Sequence, residues 1–98
     1  MEPTHFLYLA TPPRKSFVHD ATPEEYEILH KHFAFMESVR QRGKLVLTGP
    51  ALDGSYGIAI FKVTTMAEAE ALVAEDPAVQ AGLFGYTLHP LSVGAVTP

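Results

Sequence analysis

A chain of 98 residues, 47% apolar and 18% charged, has room for one small domain with a modest core and too little charge to stay disordered. Its formal net charge of -4, with only seven Lys and Arg spread along it, excludes a nucleic-acid surface built on clustered cations. The absence of cysteine removes disulfides, thiolate metal sites and cysteine nucleophiles.

The first predicted element is a strand, the apolar run HFLYLA (His5–Ala10), stopped by Pro12 and Pro13. The polar loop TPPRKSFVHDA follows. Thr22, Pro23 and Glu25 then mark a helix start, with threonine as N-cap, proline in the first turn and glutamate closing a capping box. The pattern predicts a helix to about Arg42, ended by Gly43 in the left-handed position. KLVLTGPAL (Lys44–Leu52) is strand-like, Asp53-Gly54 is a hairpin turn, and YGIAIFKV (Tyr56–Val63) is the return strand. Thr65 and Glu68 form a second capping box, opening an alanine-rich helix that ends near Glu75. DPAVQAG reads as a turn or short irregular helix. LFGYTLHPLSV (Leu83–Val93) is a final strand whose Pro90 only an edge or a bend tolerates, and residues 94–98 form a loose tail.

The order β-α-β-β-α-β describes a single α+β domain over residues 1–98, ferredoxin-like, with a four-stranded antiparallel sheet. In the return strand both alternating sets are apolar, Ile58 with Ile60 and Ala59 with Phe61 and Val63. An antiparallel strand apolar on both sides needs cover on both. Helices supply one cover. A second copy of the chain is the simplest supplier of the other, so a homodimer is predicted, with loops and the C-terminal tail as the alternative. No stretch approaches the roughly 18 apolar residues of a membrane span, and MEPTHFLYLA lacks a basic leader. The expectation is a soluble cytoplasmic protein with neither membrane nor nucleic acid as partner.

Two of the five histidines lie in ILHKHF, Ile28 to Phe33. A helix turns each side chain by about 100°, so His30 and His32 point roughly 160° apart and cannot chelate one ion. Helical metal pairs use i,i+4 spacing, so no metal site is expected. His30 falls among Glu27, Lys31 and other polar residues, whereas His32 falls in the arc of Ile28, Leu29, Phe33, Phe35, Met36 and Val39. An inward histidine is either a core group with satisfied nitrogens or a general acid or base lining a pocket. A partner carboxylate would separate the two readings. Asp20, Asp53 and Asp76 lie outside the helices, and spacing does not choose among them. His5, His19 and His89 have no motif support, and the adjacent pair His19-Asp20 is treated as surface.

HFAFMESVRQRGKLVLTGP followed by EDPAVQAGLF resembles the YciI-like (YCII-related) domain family of the dimeric α+β barrel superfamily. The pattern is a helical histidine, a later glycine, a strand ending in Gly-Pro, and an Asp-Pro after the second helix. Here these are His32, Gly43, Gly49-Pro50 and Asp76-Pro77. The resemblance implies an active site around a histidine and an aspartate, which correspond by position to His32 and Asp76. It also implies a small-molecule ligand, and no motif calls for a cofactor. Many members carry an arginine where this chain has Leu29, which leaves charge binding to Arg14 or Arg40. Tyr8 is a candidate pocket residue or a core aromatic. Gly49 and Pro50 either bind substrate or only shape a strand exit, and Asp76 before proline is also ordinary capping chemistry. A His–Asp pair without a cysteine or serine motif favours proton transfer over covalent catalysis. By analogy with the superfamily, the expected activity is of isomerase, lyase or dehalogenase type on a small cyclic or aromatic substrate. The competing expectation is a non-catalytic ligand-binding or structural dimeric accessory domain.

Overall fold

A computed structural model describes residues 1–98. Its elements are β1 (His5–Thr11), α1 (Phe17–Asp20), α2 (Pro23–Gln41), β2 (Leu45–Pro50), β3 (Gly57–Phe61), α3 (Met66–Ala74), α4 (Pro77–Gln80) and β4 (Gly85–Leu91). The four strands form one antiparallel sheet in the order β2-β3-β1-β4, which is the ferredoxin-like α+β arrangement. Pro90 lies on the edge strand β4, where a missing backbone donor is tolerated.

The helix ends follow from local chemistry. At the start of α2 the Thr22 hydroxyl accepts from the Glu25 N–H at 3.2 Å, and the Glu25 carboxylate accepts from the Thr22 N–H at 2.9 Å. Both halves of the capping box are therefore present. Beyond α2, Gly43 adopts φ +74°, a left-handed conformation that relieves the helix end without a Cβ penalty. At α3 only half of the second box forms. Thr65 accepts from the Glu68 N–H, but the Glu68 carboxylate meets the Thr65 hydroxyl instead of its backbone.

Two connections differ from the sequence expectation. The polar loop contains the single turn α1, which buries Phe17 to 3% exposure, edge-on against Phe84. The hairpin tip is also wider than Asp53-Gly54, since β2 ends at Pro50 and β3 begins at Gly57. The Asp53 carboxylate accepts the Ser55 N–H at 3.0 Å, and the Ala51 N–H donates to the Tyr56 carbonyl at 2.8 Å, which closes this longer tip.

The core lies between the helices and one face of the sheet. Phe6, Tyr8 and Ala10 of β1, with Ala59 and Phe61 of β3, pack against Phe35, Met36 and Val39 of α2 and Ala69, Leu72 and Val73 of α3. The alternation of β1 leaves Leu7 and Leu9 on the opposite face. There Leu7 pairs with Ile60 and Leu9 with Ile58, and Leu47 of β2 extends the row. Leu7, Leu9, Ile58 and Ile60 are only half-buried, and Leu47 is exposed. This face carries a continuous apolar strip with no helix on it. No helix is long and apolar enough to cross a membrane.

Candidate functional site

The inner face of α2 carries His32, Phe35, Met36 and Val39 into the interior, and His30 stays exposed on the far side. His32 borders a cavity of about 500 Å³. Its walls come from α2, from the ends of β1, β2 and β3, from the α1 segment and from the hairpin tip. The lining is mainly apolar, and no Asp or Glu reaches it. Tyr26, Phe33 and Tyr56 line it while remaining exposed, so its mouth has an aromatic rim.

Against His32, fully buried and outside the cavity lining, lies Asp76. It is the N-cap of α4, and its Oδ1 accepts from the Ala78 N–H at 2.9 Å. The same carboxylate accepts from His32 Nδ1, which sits 2.9 Å from each oxygen. The Tyr8 hydroxyl donates to Oδ2 at 2.8 Å. Asp76 is 0% exposed, yet three donors from β1, α2 and α4 converge on it, as a buried carboxylate requires. Since a carboxylate only accepts, its contact with Nδ1 assigns the ring proton to that nitrogen. Nε2 is then the basic nitrogen. It makes no hydrogen bond within the chain and is not sealed from solvent, because no buried side-chain nitrogen or oxygen lacks a partner. The ring itself is held edge-on to Phe84 at 5.2 Å and beside Phe33 at 5.9 Å between centroids.

Phe84 reaches this position because α4 is short. The Leu83 and Phe84 N–H groups both donate to the Ala78 carbonyl, at 2.9 and 3.1 Å, after Gly82 turns the chain at φ +71°. Burial is the main cause that pushes the Tyr8 hydroxyl well above the usual phenol range, with the Asp76 charge and hydrogen bond adding to it. Tyr8 therefore remains a donor.

The structure brings His32, Asp76 and Tyr8 together, and it places Gly49 and Pro50 on the cavity wall beside Tyr8 and His32. Arg14 is not among the lining residues. Its guanidinium forks onto Glu25 at 2.9 and 2.8 Å, and it also donates to the Asp20 carboxylate and carbonyl, each at 2.9 Å. Those contacts take four of its five N–H donors and tie the α1 segment to the start of α2. Arg40 pairs with Glu37 on the exposed side of α2. The cation that does line the cavity is Lys15, which sequence reasoning passed over. Phe17 was missed as well. A lone aromatic between Lys15 and His19 in a polar run was the available signal. Of the remaining aspartates, Asp20 pairs with Arg14 and Asp53 with Ser55, so neither approaches His32. No group of three or more His, Asp or Glu side chains converges to hold a metal ion.

A family model described as YCII-related domain matches residues 5–90. No curated protein matches the chain. Among solved structures the chain is similar to 5-chloro-2-hydroxyhydroquinone dehydrochlorinase from Burkholderia phenoliruptrix, determined in complex with 2,5-dihydroxybenzoquinone. The sequences are 21% identical, the TM-score is 0.70, and the match covers 92% of this chain and 95% of that one. At that identity the likeness is one of fold.

Proposed function

The chain belongs to the YCII-related domain family, and on that premise we propose that it is a small-molecule enzyme that moves protons with His32 and Asp76. The observation that carries this reading is a histidine with two different nitrogens. Nδ1 is fixed by a fully buried carboxylate, and Nε2 is free beside a cavity of about 500 Å³. That volume is ordinary for a small-molecule pocket, for which about 300–1,000 Å³ is typical. The apolar walls and aromatic rim suit a flat ring, with Gly49, Pro50 and the Tyr8 ring as contact surfaces.

In this reaction Nε2 takes a proton from the ring substrate, and Asp76 stabilises the imidazolium that forms. Two outcomes follow. The proton is returned at another atom, which is an isomerisation. Alternatively the C–H bonding pair forms a new double bond while an anionic group departs, and His32 passes the proton to solvent; this is an elimination or dehalogenation. The neighbouring dehydrochlorinase supports the second outcome and a hydroquinone-like substrate. Acid–base help of this kind supplies about 10²–10⁴ in rate.

The test is a turnover screen on small ring compounds, halogenated hydroquinones included, read by chromatography and halide release. His32→Gln keeps a hydrogen-bonding side chain but has no base, so turnover should fall by about 10²–10⁴. Equal turnover by a folded His32→Gln protein overturns the assignment. Ligand binding without turnover by the parent protein makes this a binding module.

The working unit in this proposal is a homodimer. Leu7, Leu9, Leu47, Ile58 and Ile60 offer an uncovered apolar sheet face, and a second copy of the same sheet complements it. Sedimentation should give a dimer for the parent and a monomer for Ile60→Glu. A monomeric parent at micromolar concentration refutes the pairing.

A further inference from the structure

The Tyr8 hydroxyl is 68 residues from Asp76 in sequence and donates to it inside the protein at 2.8 Å. We propose that Tyr8 is a positioning residue of the His32–Asp76 pair, whose hydroxyl takes up part of the carboxylate's charge and so sets how basic Nε2 is toward the cavity. This rests on the reading of His32 as the proton-transfer group.

Three donors share the carboxylate. Oδ1 receives the Ala78 N–H, Oδ2 receives the Tyr8 hydroxyl, and His32 Nδ1 lies 2.9 Å from both. Each neutral donor on a carboxylate lowers the charge left for its other partners. Without the phenol, the imidazole would be the one donor left on Oδ2, which would pull harder on its proton. A stronger pull on Nδ1–H makes Nε2 a stronger base, and it keeps the ring protonated to higher pH.

Two further observations make Tyr8 a dependable donor. The residue is 1% exposed, and burial beside Asp76 drives its ionisation out of reach, so it does not become a second anion next to His32. It also stands on an inner strand, opposite the small Ala59 and packed on Phe61 and Tyr86 at centroid distances of 5.9 and 5.8 Å. The hydroxyl is aimed by the sheet, and a strand holds a donor more rigidly than a loop does. What Tyr8 offers a substrate is therefore its ring, because its hydroxyl is taken.

Few other charges compete for control of the pair. Tyr86 of β4 stands edge-on to Tyr8, and Lys15, Tyr26 and Tyr56 face His32 from the cavity wall. No acidic side chain lines that wall. Asp76 is the carboxylate that acts on His32, and Tyr8 is the side chain besides His32 that acts on Asp76.

The test is Tyr8→Phe, which removes one oxygen and keeps the ring. Nitrogen-labelled imidazole NMR follows His32 in the ligand-free protein through a pH titration. The Nδ1–H resonance should move downfield, the tautomer should stay the same, and the titration midpoint should rise by about one pH unit, the scale of one hydrogen bond to a charged group. With an identified substrate, the acid limb of the kcat/KM profile should move by the same amount while KM stays put. Tyr86→Phe, which keeps the ring packed against Tyr8 and removes no hydrogen bond to Asp76, should move neither. A folded Tyr8→Phe protein with an unmoved midpoint overturns the proposal. Should that variant not fold, the parent protein decides: a slowly exchanging Tyr8 hydroxyl proton with a cross-peak to His32 Nδ1–H supports the proposal, and its absence overturns it. Parent-level turnover by His32→Gln is a separate result. It sinks the enzymatic reading and leaves the titration outcome to be judged by itself.

Discussion

Replacing Asp76 by alanine should remove a large part of the protein's stability. The substitution strands the Ala78 N–H, the Tyr8 hydroxyl and His32 Nδ1–H at a site with no exposure. Losing the cap on α4 costs about 0.5–2 kcal/mol. An unpaired buried hydroxyl costs about 1–3 kcal/mol. His32 loses less, because its ring proton can move to Nε2 and face the cavity. Water entering the space left by the carboxylate offsets part of the rest. The sum is about 2–5 kcal/mol, set against about 5–15 kcal/mol for a whole domain. At about 4–8 °C per kcal/mol for a domain of this size, the melting temperature should fall by roughly 10–40 °C.

Asp76→Asn separates stability from chemistry. The amide keeps the shape and can still accept from the Ala78 N–H, so the loss should be about 1–2 kcal/mol. Its NH₂ takes the place of Oδ2 beside Nδ1 and donates to that nitrogen, which favours the ring proton on Nε2, where His32 is no base. Where an aspartate orients a catalytic histidine, this exchange costs about 10⁴ in rate through the wrong tautomer. Urea unfolding of both variants, with turnover of the asparagine form, checks the reasoning. A loss below about 1 kcal/mol for Asp76→Ala would mean that the three donors have other partners, and the argument for this site would fail.

Two further outcomes follow from the loops around the cavity. Gly54 has φ +81°, and a Cβ there would stand 2.0 Å from the Lys15 carbonyl oxygen, so Gly54→Ala must push the α1 segment off the hairpin tip. The expected cost is about 1–3 kcal/mol with faster proteolysis at Arg14 and Lys15; unchanged stability and proteolysis would contradict the packing. Glu25 is held at about 2, against an ordinary 4.5, first by the Arg14 guanidinium and then by the Thr22 N–H. A carboxyl lowered in the fold contributes stability above its unfolded value, and that contribution is lost as pH falls from 4.5 toward 2. Urea midpoints of the parent should therefore decline more steeply through that window than those of Glu25→Gln, and parallel declines would remove Glu25 from the account.

Local chemistry made much of the fold legible. Thr22, Glu25 and Gly43 act on backbone within a few residues, so α2 could be bounded from spacing, and the 100° turn sent His32 inward without any knowledge of what it would meet. Contacts made through space were less legible. Spacing left Asp20, Asp53 and Asp76 equivalent, and only the family resemblance favoured Asp76, because a bond across 44 residues leaves no periodic trace. Arg14 illustrates the same limit from the other side. Glu25 was read as a capping residue, yet its carboxylate also holds the Arg14 fork, so a free-looking cation in a loop was already engaged. Phe17 lacked the neighbours that make a pattern, and its burial depends on Phe84, which α4 delivers from far along the chain. Tyr8 shows the same limit at the candidate site. From sequence it is either a pocket residue or a core aromatic; the structure buries its ring, and the destination of its hydroxyl depends on where α4 docks. Sequence periodicity determines which way a side chain faces. The candidate site depends on which three elements converge on one carboxylate, and that is a property of the closed fold.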